Sequence, residues 1–157
     1  MRWQEVSRVK SRPDTAKRAF KSMRVFLDTN IIVYAYDSAE IQRHPIAVRV
    51  IDDLLNESDE VVISPQVAGE FVNTMKRKGT PPATLTLQIR GLSAFEMGTP
   101  TLATISAAWA LCTAHSIAWY DAIIVQTAID ARCDRLYSED MQNGRKFGGL
   151  EVVNPFV

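Results

Sequence analysis

Five acidic residues, Asp28, Glu70, Asp121, Glu139 and Asp140, fall in a pattern that suits a metal ion. Asp28 closes a short apolar run, "VFL", and is followed at once by Thr29 and Asn30. Glu70 comes five residues after the proline of "VVISPQVAGE", and Asp121 opens "WYDAIIVQTAIDA" just after its aromatic pair. Glu139 and Asp140 follow the third apolar run in "RLYSED". Carboxylates crowded together repel and raise one another's pKa unless a cation neutralises them. Mg²⁺ and Mn²⁺ are the hard ions that take a few carboxylates and keep several waters. Each acid taken singly has a plainer reading. An acid in a helix's first turn offsets the macrodipole by about 0.3–1 kcal/mol, and aspartate after a strand is common turn chemistry. Those readings predict scattered acids, whereas a metal site needs them on one edge.

The elements around the acids predict that edge. "VFL" reads as a strand, "IIVYAY" as a buried first helix, and "HPIAVRVIDDLLN" as an amphipathic second one, with Ala47, Val50, Ile51, Leu54 and Leu55 on one face. "VVIS" (61–64) is a second strand. Ser64 and Pro65 form a cap-then-proline helix start, and Gly79 before Pro81 and Pro82 is the stop. Residues 83–116 read as helical, with Leu85, Ile89, Leu92 and Phe95 sharing a face. A helix follows over about 120–131, with Ile123, Ile124, Thr127 and Ala128 inward. "RLYS" (135–138) and "LEVV" (150–153) are the third and fourth strands. Strands alternating with helices give an α/β fold, a parallel β-sheet flanked by helices on both faces. In such sheets ligands bind outside the carboxyl ends of the strands. Asp28, Glu139 and Asp140 belong to that edge directly, and Glu70 and Asp121 reach it from early helical turns.

A chain of 157 residues, 46% hydrophobic and 23% charged, fits one folded domain rather than a disordered tract. Net charge is zero but unevenly spread: residues 1–22 carry +5 and the remainder −5. Residues 1–22 are read as a basic N-terminal extension, disordered or adventitious, and 23–157 as the domain; a basic arm of this kind is able to bind nucleic acid. No apolar stretch reaches the roughly 20 residues needed to cross a bilayer, and the N-terminus lacks a signal's apolar core. The expected location is the cytoplasm, with no membrane and with Cys112 and Cys133 as reduced core thiols.

Other chemistries lack their residues. There is no G-x-x-x-x-G-K-[ST] or G-x-G-x-x-G loop and no G-x-S-x-G elbow. His44 and His115 are the two histidines, far apart and without zinc-type spacing, and read as surface or helix-end residues.

The segments "VFLDTNIIVYAYD", "VVISPQVAGEFVN", "WYDAIIVQTAIDARCDRLYSEDMQNG" and "GGLEVVNPF" resemble, in this order, the PIN-domain family, and within it the VapC-like toxins of toxin–antitoxin pairs. The resemblance implies a single PIN-like domain and a Mg²⁺- or Mn²⁺-dependent endoribonuclease acting as a toxin. It implies Asp28, Glu70, Asp121 and Asp140 as both metal ligands and catalytic acids, with Asn30 and Ser138 supporting them. Glu139 then becomes an outer ligand or a surface acid. It also implies an RNA substrate, a cognate antitoxin protein and a homodimer; the apolar "IIVYAY" and "VAGEFV" stretches would suit such contacts, although stripes of this kind are core more often than interface. "KRK" (76–78), Arg145 and Lys146 are candidate phosphate contacts, although the preference of helix C-termini for cations and ordinary surface solvation are the favoured explanation of each. Tyr120 stands where the family commonly has tryptophan or phenylalanine before the third acid. The residues by themselves also allow a PIN-fold DNA nuclease or phosphatase, a non-cleaving RNA-binding scaffold, or a receiver-like signalling domain. The last is disfavoured by Ser64 after the central "VVI".

Overall fold

The structure, a computed structural model, describes residues 22–57 and 59–157. The expected basic extension lies, except for Ser22, outside the described residues. Six strands form one sheet: β1 Arg24–Leu27, β2 Glu60–Ile63, β3 Glu96–Met97, β4 Arg135–Tyr137, β5 Lys146–Phe147 and β6 Leu150–Val153. Their order is β3-β2-β1-β4-β6-β5, parallel throughout except for the β5–β6 hairpin. The six helices are α1 Thr29–Tyr36, α2 His44–Asn56, α3 Pro65–Arg77, α4 Pro82–Gly91, α5 Leu102–His115 and α6 Trp119–Asp130.

β1 runs through the middle of the sheet. Val25, Phe26 and Leu27 point alternately to its two faces, yet each is fully buried. Both faces are therefore covered, as the near-continuous apolar runs of parallel strands require. α1 packs on α2 and α3, and α5 packs on α6. The main core joins β1, β2 and β4 to Ile31, Ile51, Phe71 and Val125. Burial of each such side chain is worth about 1.5–3 kcal/mol. At the amino ends of the strands Arg24 bonds to both Glu60 and Glu96, pinning β1, β2 and β3 in line.

The helix starts follow their capping chemistry. Ser64 Oγ accepts from the Val67 amide at 3.3 Å with Pro65 in the first turn of α3, and Gly79 at φ 82° closes the other end. His44 begins α2 and His115 ends α5, both at helix ends as expected. Cys112 and Cys133 are free thiols, and burial pushes the Cys133 thiol up to about 12.

The structure corrects the reading of the middle of the chain and the number of strands, and it decides between the two readings of the apolar stretches. Residues 83–116 are not one helical stretch: a 3-10 turn over Leu92–Ala94 and the two-residue strand β3 separate α4 from α5. Leu92 and Phe95 are buried, but Ile89 is 42% exposed, so the expected four-residue face is split. The sheet has six strands rather than four, because β3 and β5 are too short to show a period of their own. The "IIVYAY" and "VAGEFV" stretches turn Ile31, Ile32, Val33, Val67 and Phe71 into the core rather than to a partner. Exposed large apolar side chains lie elsewhere, among them Leu102 and Trp109 on α5 and Tyr120 on α6, with Ile41, Leu87, Ile89, Met97 and Val157 scattered over the rest of the surface. Among the described residues no single helix is long and apolar enough to cross a membrane.

Candidate metal centre

Chain connections leave β1 in one direction, toward β2 and β3, and enter β4 on its other side. The switch point of the sheet thus lies between the carboxyl ends of β1 and β4, where α/β folds bind ligands. Leu27 pairs with Tyr137 in the β1–β4 register, and the Asp28 amide donates to the Tyr137 carbonyl at 3.0 Å. Residues 28 and 138–140 are brought together by that pairing.

Asp28 is 4% exposed. One carboxylate oxygen, Oδ1, accepts from the Thr29 amide at 2.6 Å and caps α1. The other, Oδ2, accepts from Ser138 Oγ at 2.7 Å and from Asn30 Nδ2 at 3.2 Å. Asn30 Nδ2 also donates to Asp140 Oδ2 at 3.0 Å, so a single amide group touches two of the four acids. The Asn30 side-chain oxygen, Oδ1, accepts from the Glu139 amide at 3.2 Å, fixing the loop that carries Asp140.

Glu70 enters from α3. Thr29 Oγ1 donates to its Oε2 at 2.8 Å and Gln66 Nε2 to its Oε1 at 2.9 Å. Asp121, from the first turn of α6, is held up in pKa by burial first and then by the charges of Asp140 and Glu70. Burial pushes Asp28 up to about 6; its bonds from Ser138 and Thr29 oppose this, and Asp140 and Asp121 add to it. Repulsion thus links Asp28 with Asp140 and Asp121, and Asp121 with Asp140 and Glu70, which places the four expected acids near one another.

Glu139 does not join them. Its carboxylate is bonded to Arg43 Nε and Nη2, both at 2.6 Å, and to the Tyr34 hydroxyl. It ties the β4 loop to α1 and α2. The two polar residues absent from the expected set are Thr29 and Gln66, which aim Glu70. Gln66 at four residues before Glu70 was a readable helical pair, but Thr29 meets Glu70 only through the fold.

The donor set fits a hard divalent cation. All its donors are oxygens, and among the described residues none of Asp28, Glu70, Asp121 and Asp140 pairs with a lysine or arginine. The acids do not close into a ready-made cage: among the described residues no three acidic, histidine or cysteine side chains converge on one point. A groove of about 420 Å³ runs from Asn30, Glu70 and Asp140 along α3 past Asn73 and Thr74 to Arg77 and Lys78. Of the other candidate phosphate contacts, Arg145 lies over the Phe147 ring and donates to the His115 carbonyl at 2.9 Å.

Comparison with known proteins accords with this architecture. The structure superposes on a toxin–antitoxin complex from Klebsiella pneumoniae with a TM-score of 0.64 at 20% identity, covering 83% of this chain and 97% of that one. VapBC2 from Rickettsia felis, bound to a DNA fragment from its promoter, gives a TM-score of 0.63 at 22% identity, with the same coverage of 83% and 97%. VapC20 of Mycobacterium tuberculosis, a sarcin–ricin-loop-cleaving toxin, gives 0.59 at 19% identity over 74% of this chain and 91% of that one. At such identities the likeness is one of fold. No curated protein matches the sequence. The PIN-domain model matches residues 25–144, a span that contains the switch point and all four acids, and on that match the chain belongs to the PIN-domain family.

Proposed function

We propose that this protein is a divalent-metal-dependent endoribonuclease of the VapC-like toxin type, working in the cytoplasm. The observation that carries the reading is the Asn30 amide bridging Asp28 and Asp140, with Glu70 and Asp121 close by and, among the described residues, no basic side chain paired with any of the four. Asp28, Asp121 and Asp140 would hold Mg²⁺ or Mn²⁺, with Glu70 ligating or orienting water. The open arrangement leaves room for the waters such ions retain. When bound, the ion supplies Lewis acidity and a nucleophilic water at neutral pH. The chain's own part is orientation. Ser138 and Thr29 fix the Asp28 rotamer, Asn30 spaces Asp28 from Asp140, and Thr29 with Gln66 turns Glu70 toward the groove. Groups behind ligands commonly act this way.

A toxin role brings an antitoxin protein and a homodimer as partners. Support comes from the relatives solved as toxin–antitoxin complexes and from the exposed Leu102, Trp109 and Tyr120. The test is cleavage of labelled RNA and DNA side by side, with Mg²⁺ and with EDTA, by the wild type and by Asp28→Asn. RNA cleavage that needs both the ion and Asp28 is expected. Cleavage unaffected by EDTA, or confined to DNA, overturns the reading.

A further inference from the structure

We propose that Arg77 is a phosphate-binding position for the RNA strand, seating a backbone phosphate some way along from the one that is cut; the inference rests on the ribonuclease reading above. Three basic residues, Lys76, Arg77 and Lys78, end α3, and as a run they are indistinguishable. The structure separates them. Lys78 Nζ sits 2.7 Å from Asp37 Oδ2 and 3.4 Å from Glu40 Oε1, so its charge is already matched. Lys76 is exposed but is not a wall of the groove. Arg77 is exposed and lines the groove, and among the described residues no carboxylate forms an ion pair with it. Its Nη2 donates to Thr74 Oγ1 at 3.3 Å, one turn back on the same helix.

Glu70, Thr74 and Arg77 form one stripe of α3, at the i, i+4 and i+7 positions. Seven residues of helix advance about 10 Å, so a metal-rim acid and an uncompensated guanidinium stand at two ends of one groove. A strand whose cleaved phosphate lies at the acid rim runs its neighbouring backbone over that stripe. The planar guanidinium fork matches phosphate oxygens, and Thr74 restrains it before the strand arrives. The helix dipole favours a cation at this end of α3 in any case, which explains why a basic residue is tolerated there. It does not explain why, of the two cations on the groove wall, Arg77 rather than Lys78 is left without a carboxylate among the described residues. Residues 23–157 carry −5, so the RNA affinity of that part of the chain must come from the metal and such local contacts rather than from its overall charge, with the basic residues 1–22 as a separate source.

The test uses the full chain in a cleavage-dead Asp28→Asn background with Mg²⁺. Anisotropy of two labelled single-stranded RNAs of unrelated sequence is followed across a salt series. Arg77→Gln is expected to weaken both RNAs by the same several-fold factor. It should also flatten the slope of log K against log salt by about 0.7, the loss of one single-strand phosphate contact. Arg77→Lys keeps most of the slope, and Lys76→Gln leaves it unchanged. An unchanged slope in Arg77→Gln, an equal effect of Lys76→Gln, or a loss confined to one RNA sequence overturns the assignment. If neither the background protein nor the wild type, with Ca²⁺ in place of Mg²⁺, binds either RNA, the ribonuclease reading falls and takes this one with it, an outcome distinct from the other three.

Discussion

Ser138 Oγ donates a 2.7 Å hydrogen bond to Asp28 Oδ2, joining the end of β4 to the end of β1 across 110 positions of sequence. The same hydroxyl accepts from the Asp140 amide at 3.2 Å. One buried oxygen thus sets two acids of the rim. Ser138→Ala leaves the Asp28 carboxylate short of a partner, at a cost of about 1.5–3 kcal/mol in denaturant unfolding at neutral pH. It also removes a bond that holds the Asp28 pKa down, so the acid limb of Mn²⁺ binding, followed by calorimetry, moves to higher pH. A limb at the wild-type position contradicts this.

Asp28 is harder to ionise in the folded protein, at about 6, than at its ordinary value of 3.8. The folded state therefore holds the proton more tightly than the unfolded chain. Ionisation costs nothing below pH 3.8, costs progressively more as pH rises to about 6, and is fully felt above that. Without divalent ion, Asp28→Asn should melt above the wild type at a pH of about 7.5, by an amount on the order of 2–3 kcal/mol in stability. The gap should close at a pH of about 4. Added Mg²⁺ should raise the melting temperature of the wild type and leave the variant unmoved.

Thr29→Val keeps the shape of the side chain and deletes its bond to Glu70. RNA cleavage should fall about 10- to 100-fold, the range seen when groups behind metal ligands are removed, with the melting temperature little changed. Gln66→Ala in addition should lower the rate further, because Glu70 then has neither tether.

Glu139 and Asp140 are adjacent acids with opposite expected outcomes. Glu139→Gln should retain most activity, since that carboxylate is turned to Arg43 and Tyr34. Asp140→Asn should lose more than about 100-fold, beyond the effect of removing a supporting group. Equal losses in the two variants would mean that both acids serve the site.

Gly91 ends α4 beneath Tyr36, and a Cβ there would overlap the Tyr36 hydroxyl. Tyr36 is itself packed on Phe71, with ring centroids 5.4 Å apart, so it has little freedom to withdraw. Gly91→Ala should destabilise by about 1–3 kcal/mol in urea unfolding. Tyr36→Phe should return part of that loss.

Much of the fold was legible locally. The runs 25–27, 61–64, 135–138 and 150–153 announce strands, and Ser64-Pro65 and Gly79 mark the ends of α3, because capping and periodicity act between near neighbours. β3 and β5 were not legible. Two residues have no period, and Glu96 and Met97 are strand only because Val62 and Ile63 lie alongside. The break between α4 and α5 escaped for the same reason: the chain there bends to deliver β3 to the sheet edge.

The sequence by itself determined which residue types would stand at the ends of strands and the starts of helices, and hence a set of acids suited to a hard cation. Only the tertiary structure decided among equals. It turned Glu139 to Arg43 and left Asp140 on the rim, matched Lys78 with Asp37 while leaving Arg77 on the groove, and gave Glu70 a tether from Thr29. These choices join positions 41 to 110 residues apart, or separate neighbours by the direction a side chain points. Local sequence signals carry neither kind of information; the β1–β4 register and the packing of α3 against α1 supply both.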